Sequence, residues 1–280
     1  MNGLVARGRD MRISFSGLGS VSVLIASFVA TAQTAELPPV EELQRQLGSP
    51  AQTVLVYEPH LRVGDSHIAI EYVGFQANDV MARLFGEDWQ GQGTTLEFHA
   101  LDGYVSRIEV SRFAEESAYL VFARRDGAPF RVDNVQQNQM GLPLGPYYLV
   151  WDNISSPELR LEGARNWPYQ VMEVRFVTVS DEALLPAGLD PGFHEGAGLV
   201  KRYCLSCHNV NGFGGAKFEG NLAEIVKDYE EADFLHLVLK PASERIGATM
   251  PALSDRLSEG ERRRIADALF DYLKAVPVQP

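Results

Sequence analysis

Cysteine is nearly absent from this chain of 280 residues: two occur, Cys204 and Cys207. So few thiols exclude a disulfide-stapled scaffold, in which several bridges stand in for a hydrophobic core. At 45% hydrophobic residues the chain has material for one or two ordinary cores. Basic residues are also in short supply. Against 37 Asp and Glu stand 25 Lys and Arg, a net charge of −12. That balance argues against nucleic-acid binding and leaves no basic patch for anionic lipid. A macromolecular partner of so acidic a chain is expected to dock through its own lysines or arginines. Gly-rich phosphate loops and nucleophile motifs are missing as well, so no catalytic residue is assigned from the sequence.

The apolar stretch 13–30 follows Arg7, Arg9 and Arg12, and Ala30 and Ala32 take the small-residue positions that a signal peptidase reads. Basic, apolar and small residues in that order predict a secretory signal over 1–32 and a periplasmic location. The alternative is a retained anchor, for which the stretch is barely long enough and rich in Ser and Gly. Membrane association is expected only if this segment stays on the chain. Cleavage removes the three arginines and Asp10, leaving the rest more acidic.

An exported chain usually oxidises two cysteines to a disulfide. Here they sit in YCLSCH (203–208), where a bond would close a very small loop and constrain little. A redox-active pair of the thioredoxin kind follows a strand in a βαβ unit, and none surrounds Cys204. Zinc needs more ligands than two Cys and one adjacent His. The remaining reading is covalent c-type haem attachment, with Cys204 and Cys207 as thioethers and His208 as the proximal iron ligand.

The flanks are helical in pattern. In GFHEGAGLVKRY, Phe193, Ala197 and Val200 share one face. Near the C-terminus Ser258 and Glu261 form a capping-box signature, followed by an apolar stripe of Ile265, Leu269, Tyr272 and Val276. Met250, in GATMPAL, is the only methionine after the haem motif. His236 is the rival second ligand, but it shares the polar side of its helix with Asp233 and Lys240, opposite Phe234, Leu237 and Val238, and reads as solvated.

Residues 192–277 resemble the class I c-type cytochromes. The resemblance rests on Gly196, Val200 and Cys204 at spacings of four, on CLSCH, on Met250-Pro251 and on Tyr272-Leu273 in the closing helix. It implies a few helices around one covalent haem c, crossing N- and C-terminal helices, and Met250 as the distal iron ligand. The chain departs from the family at the proline often found after the motif. Residues 209–240 contain none, and Asn221-Leu222 occupy roughly that region. What orients His208 is therefore left open, and that orientation tunes the metal.

Residues 36–180 alternate in short strand-like phrases. In HIAIEYV, Ile68, Ile70 and Tyr72 face one way and His67, Ala69 and Glu71 the other. In TTLEFHA, Leu96 and Phe98 point inward, Glu97 and His99 outward. A turn is expected at Arg125-Asp126-Gly127 and a helix over NDVMARLFG. The order of phrases ALDGYVSRIEVSRF, AYLVFARRDGAPF, GPYYLVWDN and WPYQVMEVRFV is similar to the sulfite-oxidase-type molybdopterin-binding fold. That family ligates molybdenum through a cysteine this half lacks, so neither molybdopterin nor the activity is carried over.

His60, His67 and His99 could form a metal site with Glu71 or Glu97, although outward histidines on strands are usually solvated. Arg107, Arg112, Arg124 and Arg125 could face an anionic cofactor, although arginines at strand edges commonly serve solubility. The expectation is a multidomain α and β protein: a signal at 1–32, a β-rich sulfite-oxidase-like domain at 36–180, a linker at 181–191, and an all-α cytochrome c domain at 192–280. Its expected function is single-electron transfer through a haem bound by Cys204 and Cys207 and ligated by His208 and Met250. The first domain would dock redox protein partners, a periplasmic dehydrogenase among the candidates. The alternative is a sulfite-dehydrogenase-like oxidoreductase, or a subunit of one, whose β domain binds a cofactor and feeds the haem. A weaker third reading is a haem-based sensor.

Overall fold

In the computed structural model, the described residues are 33–62, 66–177, 181–244, 247–254 and 256–279; the expected signal segment lies outside them. Alternation organises the first half. In β3 (Ala69–Gln76) Ile70 and Tyr72 are buried while Ala69 and Glu71 are exposed. Ile68 departs from the expected face: it precedes the strand and is 49% exposed. The NDVMARLFG pattern forms α2 (Ala77–Phe85), which turns Val80 and Met81 inward.

Two four-stranded antiparallel sheets result. One has the order β1 (Thr34–Glu36), β10 (Val171–Val177), β4 (Thr95–Ala100), β5 (Val105–Glu109). The other runs β2 (Gln52–Tyr57), β3, β6 (Ala118–Arg124), β9 (Tyr148–Trp151). A separate hairpin pairs β7 (Arg131–Asn134) with β8 (Gln139–Pro143). Leu96, Phe98 and Ile108 from the first sheet and Tyr72, Leu120 and the whole of β9 from the second enter one core, joined by Leu43 of α1 (Val40–Leu47) and Phe113 of α3 (Arg112–Glu115). The Arg125-Asp126-Gly127 turn forms as expected, with Gly127 at φ 73°.

A second core lies between residues 184 and 276. It is built from α4 (His194–Tyr203), α6 (Glu231–Leu239) and α8 (Glu259–Ala275), with short α5 (Leu222–Ile225) and α7 (Pro241–Glu244) beside them. The capping box at Ser258 and Glu261 forms, and Ile265, Leu269, Tyr272 and Val276 are buried. On α6 the buried residues are Phe234, Leu235 and Val238. Leu184, within the stretch read as a linker, is buried in this core, and its carbonyl accepts the Tyr272 hydroxyl at 2.8 Å.

The expected fold class is corrected. Among the described residues there are eight α-helices and four sheets, so the protein is mixed α/β, and the C-terminal half is not an all-α cytochrome domain. A β-hairpin follows the CLSCH motif directly: β11 (Asn209–Val210) pairs with β12 (Phe213–Gly214). The reason is local. Asn211 (φ 51°) and Gly212 (φ 79°) both take positive φ, the conformation that Asn-Gly favours in a two-residue hairpin turn. Two of the helices here, α5 and α7, are only four residues long.

Candidate functional site

The site begins where α4 crosses α8. A Cβ on Gly196 would stand 2.5 Å from Tyr272 Cβ and 2.6 Å from the Ala268 carbonyl oxygen, so only glycine permits this approach. Ala197 and Val200 are buried on the same helix. Beyond it the chain makes one more turn: Cys204 N–H donates to Val200 O at 2.9 Å, and His208 N–H donates to Cys204 O at 3.0 Å. Both thiols and the imidazole are thus carried on a single turn.

The next residues fold back on that turn. Gly215 N–H reaches the carbonyls of Leu205 and His208, each at 2.9 Å, and Phe218 N–H reaches that of Cys207 at 3.2 Å. Gly214, at φ 145°, lies so close that a Cβ would be 2.1 Å from His208 O. Asn221 Oδ1 accepts from Asn211 N and Ala223 N, fixing the hairpin turn to the start of α5. Phe218 stacks on the His208 ring, centroids 5.1 Å apart at 23°.

The strand-rich half holds the other side. Val105 N–H, at the start of β5, donates to Ser206 O at 2.8 Å, and Arg107 Nη1 donates to Leu205 O at 3.0 Å. Ala216 N–H donates to Gly103 O at 2.8 Å. Gly103, at φ 84°, presses on Ala216, where a Cβ would meet the carbonyl carbon at 2.7 Å. The motif loop therefore covers the edge strand of a sheet, a position otherwise open to pairing.

Two ion pairs flank it. Arg107 bridges to Glu97 at 2.8 Å and lies over the Phe213 ring at 4.5 Å. Lys217 bridges to Asp102 at 2.8 Å. Burial alone would raise the Glu97 pKa, but hydrogen bonding from His99 and the Arg107 charge hold it below the carboxylate range. Burial likewise opposes charge on Lys217, and Asp102 more than offsets it. The expectation that Glu97 points to solvent is corrected: it is 7% exposed, because it pairs across the sheet with Arg107.

Burial, with Cys207 nearby, pushes the Cys204 thiol up to about 12. Burial also lifts Cys207 to about 11, with Lys217 opposing and Asp102 adding. Both are free thiols and stay protonated near neutrality, which is unsuited to a thiolate nucleophile or to a thiol–disulfide catalyst. Burial lowers the His208 pKa, so its imidazole is neutral at pH 7 and able to donate a lone pair to a metal. Cys204, Phe213, Leu222, Tyr229, Met250 and Leu257 pack against the second core yet remain only partly buried. The donor types fit a covalently held haem: two thiols for its vinyl groups and an imidazole nitrogen on one turn, with the Met250 thioether packed against the same core as Cys204.

The rival sites do not assemble. Among the described residues no group of three or more His, Cys, Asp and Glu side chains converges as an ion cage. His67 is exposed beside Tyr57, His99 pairs with Glu97, and His60 is buried elsewhere. His236 is exposed and bonded to Glu244 and Ser243. Of the four arginines, Arg124 pairs with Asp126 and Arg125 with Glu71, both on β6 or its turn, while Arg112 bridges Glu162 and stacks over Trp151. Arg107 and Arg112 line one cleft together with Arg165 and Arg202, whereas Arg124 and Arg125 lie outside it.

Sequence reasoning missed a buried polar cluster in the first core. Glu58 accepts from His60 Nδ1 at 2.7 Å, from Tyr72 Oη at 2.7 Å and from Tyr148 Oη at 3.0 Å. Its tyrosine partners are 14 and 90 positions away, so no local spacing could reveal it. A scan against protein-family models and a search of curated proteins both return no match for the chain.

Proposed function

We propose that this is an exported single-haem electron-transfer protein. Its strand-rich half would seat the haem-binding loop and present it to redox partners. One observation carries the reading: the chain's only two thiols and the adjacent His208 occupy one turn, and all three are only partly buried. When bound there, haem supplies one-electron redox chemistry, and a thioether ligand raises its potential. Cys204 and Cys207 would hold it covalently, and His208 and Met250 would supply a nitrogen and a sulfur ligand to its iron. With ligands supplied by the protein, the chemistry would be electron transfer rather than substrate binding at the metal. Gly215 and Phe218 bond the loop carbonyls through their N–H groups, and the Phe218 ring stacks on that of His208.

The test is haem and metal content of the full chain, purified from a host that exports it and attaches haem. About one iron per chain is expected, with haem surviving denaturation. Serine at both Cys204 and Cys207 should abolish that covalent haem. Met250→Ala should remove the sulfur-to-iron charge-transfer band of the oxidised protein while leaving haem attached. Protein lacking covalent haem refutes the proposal. A stoichiometric second metal would instead make the chain an oxidoreductase with its own electron outlet.

A further inference from the structure

Two half-buried ion pairs bracket the CLSCH turn, and each draws one partner or more from the β4–β5 hairpin. Arg107 and Glu97 face each other across its strands, and the Arg107 guanidinium bonds the carbonyl of Leu205, the residue after the first cysteine. Asp102, in the hairpin's turn, holds Lys217, whose charge reaches Cys207. Side-chain exposures are 13% and 9% for Arg107 and Glu97, and 12% and 30% for Lys217 and Asp102. Such charges are screened far less than surface ones. The hairpin thus does more than cap a sheet edge: it places fixed charges of both signs beside the loop.

We propose that the β4–β5 hairpin sets the redox potential of the bound haem through these two pairs, with Arg107, Glu97, Asp102 and Lys217 as positioning and tuning residues. This rests on the haem reading above. Oxidised haem iron carries one more positive charge than reduced iron. A nearby cation therefore favours reduction and a nearby anion opposes it, the more so at low dielectric. Glu97 and Arg107 nearly cancel while both are present, and removal of either exposes the other's field. His99 is bonded to Glu97 and is left unchanged in the test.

The experiment is an optically monitored potentiometric titration at neutral pH of the haem-loaded full chain and its variants. Arg107→Gln and Lys217→Gln should lower the midpoint potential, and Glu97→Gln and Asp102→Asn should raise it. The double variant E97Q/R107Q should return towards wild type. A purely structural role predicts something different: loosening the loop admits water, which favours the oxidised form and lowers the potential in all four single variants. A common direction, or no shift in any variant, overturns the proposal while the haem reading stands. Wild-type chain without covalent haem overturns both. Should a single variant fail to fold, the double variant and the other ion pair decide the matter, since removing both charges leaves none buried alone.

Discussion

Glu58 is a carboxylate 1% exposed in the first core. Its burial alone would raise its pKa, but the hydrogen bond and charge of His60 and the hydroxyl of Tyr72 more than compensate, holding it below the carboxylate range. A carboxylate with a depressed folded pKa adds stability that is complete above its unfolded pKa and is lost as pH falls through the folded value. The urea midpoint should therefore hold steady near neutrality and fall on acidification below about pH 4. Tyr148→Phe keeps the ring but removes one donor to Glu58. It should cost about 1–3 kcal/mol at pH 7. It should also move the acid limb to higher pH, because the carboxylate loses a bond that favoured its charged form. Urea midpoints measured against pH for both proteins check this. An acid limb unmoved in the variant would show that Tyr148 does not hold the charge.

At the level of elements, the α4–α8 crossing is set by a missing side chain. Gly196→Ala forces a methyl into Tyr272 and the Ala268 carbonyl, and overpacking of this kind costs about 1–3 kcal/mol. Gly198, two residues on in the same helix, has nothing within 4 Å of its Cβ position. Gly198→Ala should accordingly stabilise the helix by roughly 0.5–1 kcal/mol. Opposite shifts in urea midpoint are the expected outcome, and equal shifts would refute the close crossing. Local elements were also the most readable part of the chain. The capping box at Ser258, the alternation of β3 and the helix over Ala77–Phe85 follow from spacing alone. The β11–β12 hairpin was equally local, written as Asn211-Gly212, yet the helical context on both sides masked it.

For the whole molecule, the question is how two cores are coupled. All three tryptophans, Trp89, Trp151 and Trp167, lie in the first core, so fluorescence reports on that half only. The join runs through the backbone of Gly103 and Val105 and the Arg107 guanidinium to the segment 205–216, with Arg256 also bonding the carbonyls of Arg160 and Leu161. Gly103→Val collides with Ala216 and strains a positive φ, and should break that join. In the wild-type chain the fluorescence transition and the hydrogen exchange of α8 amides should share one urea midpoint. In the variant α8 should open at lower urea than the tryptophan core. Coincident transitions in both would show that the halves are coupled by something other than this contact.

Short-range order carries most of what the sequence determined by itself: strand alternation, helix caps, and a turn holding Cys204, Cys207 and His208. Each depends on bonds that reach only a few residues along the chain. Tertiary structure decided what lies across the sheets and between the halves. Glu97 reads as an outward residue until Arg107 is placed opposite it, and Glu58 finds Tyr148 only after 90 residues of chain. The docking of CLSCH on β5 is of the same kind. Apart from the Arg107 guanidinium it joins backbone carbonyls and amides, so little in the pattern of side chains announces it before packing brings the two segments together.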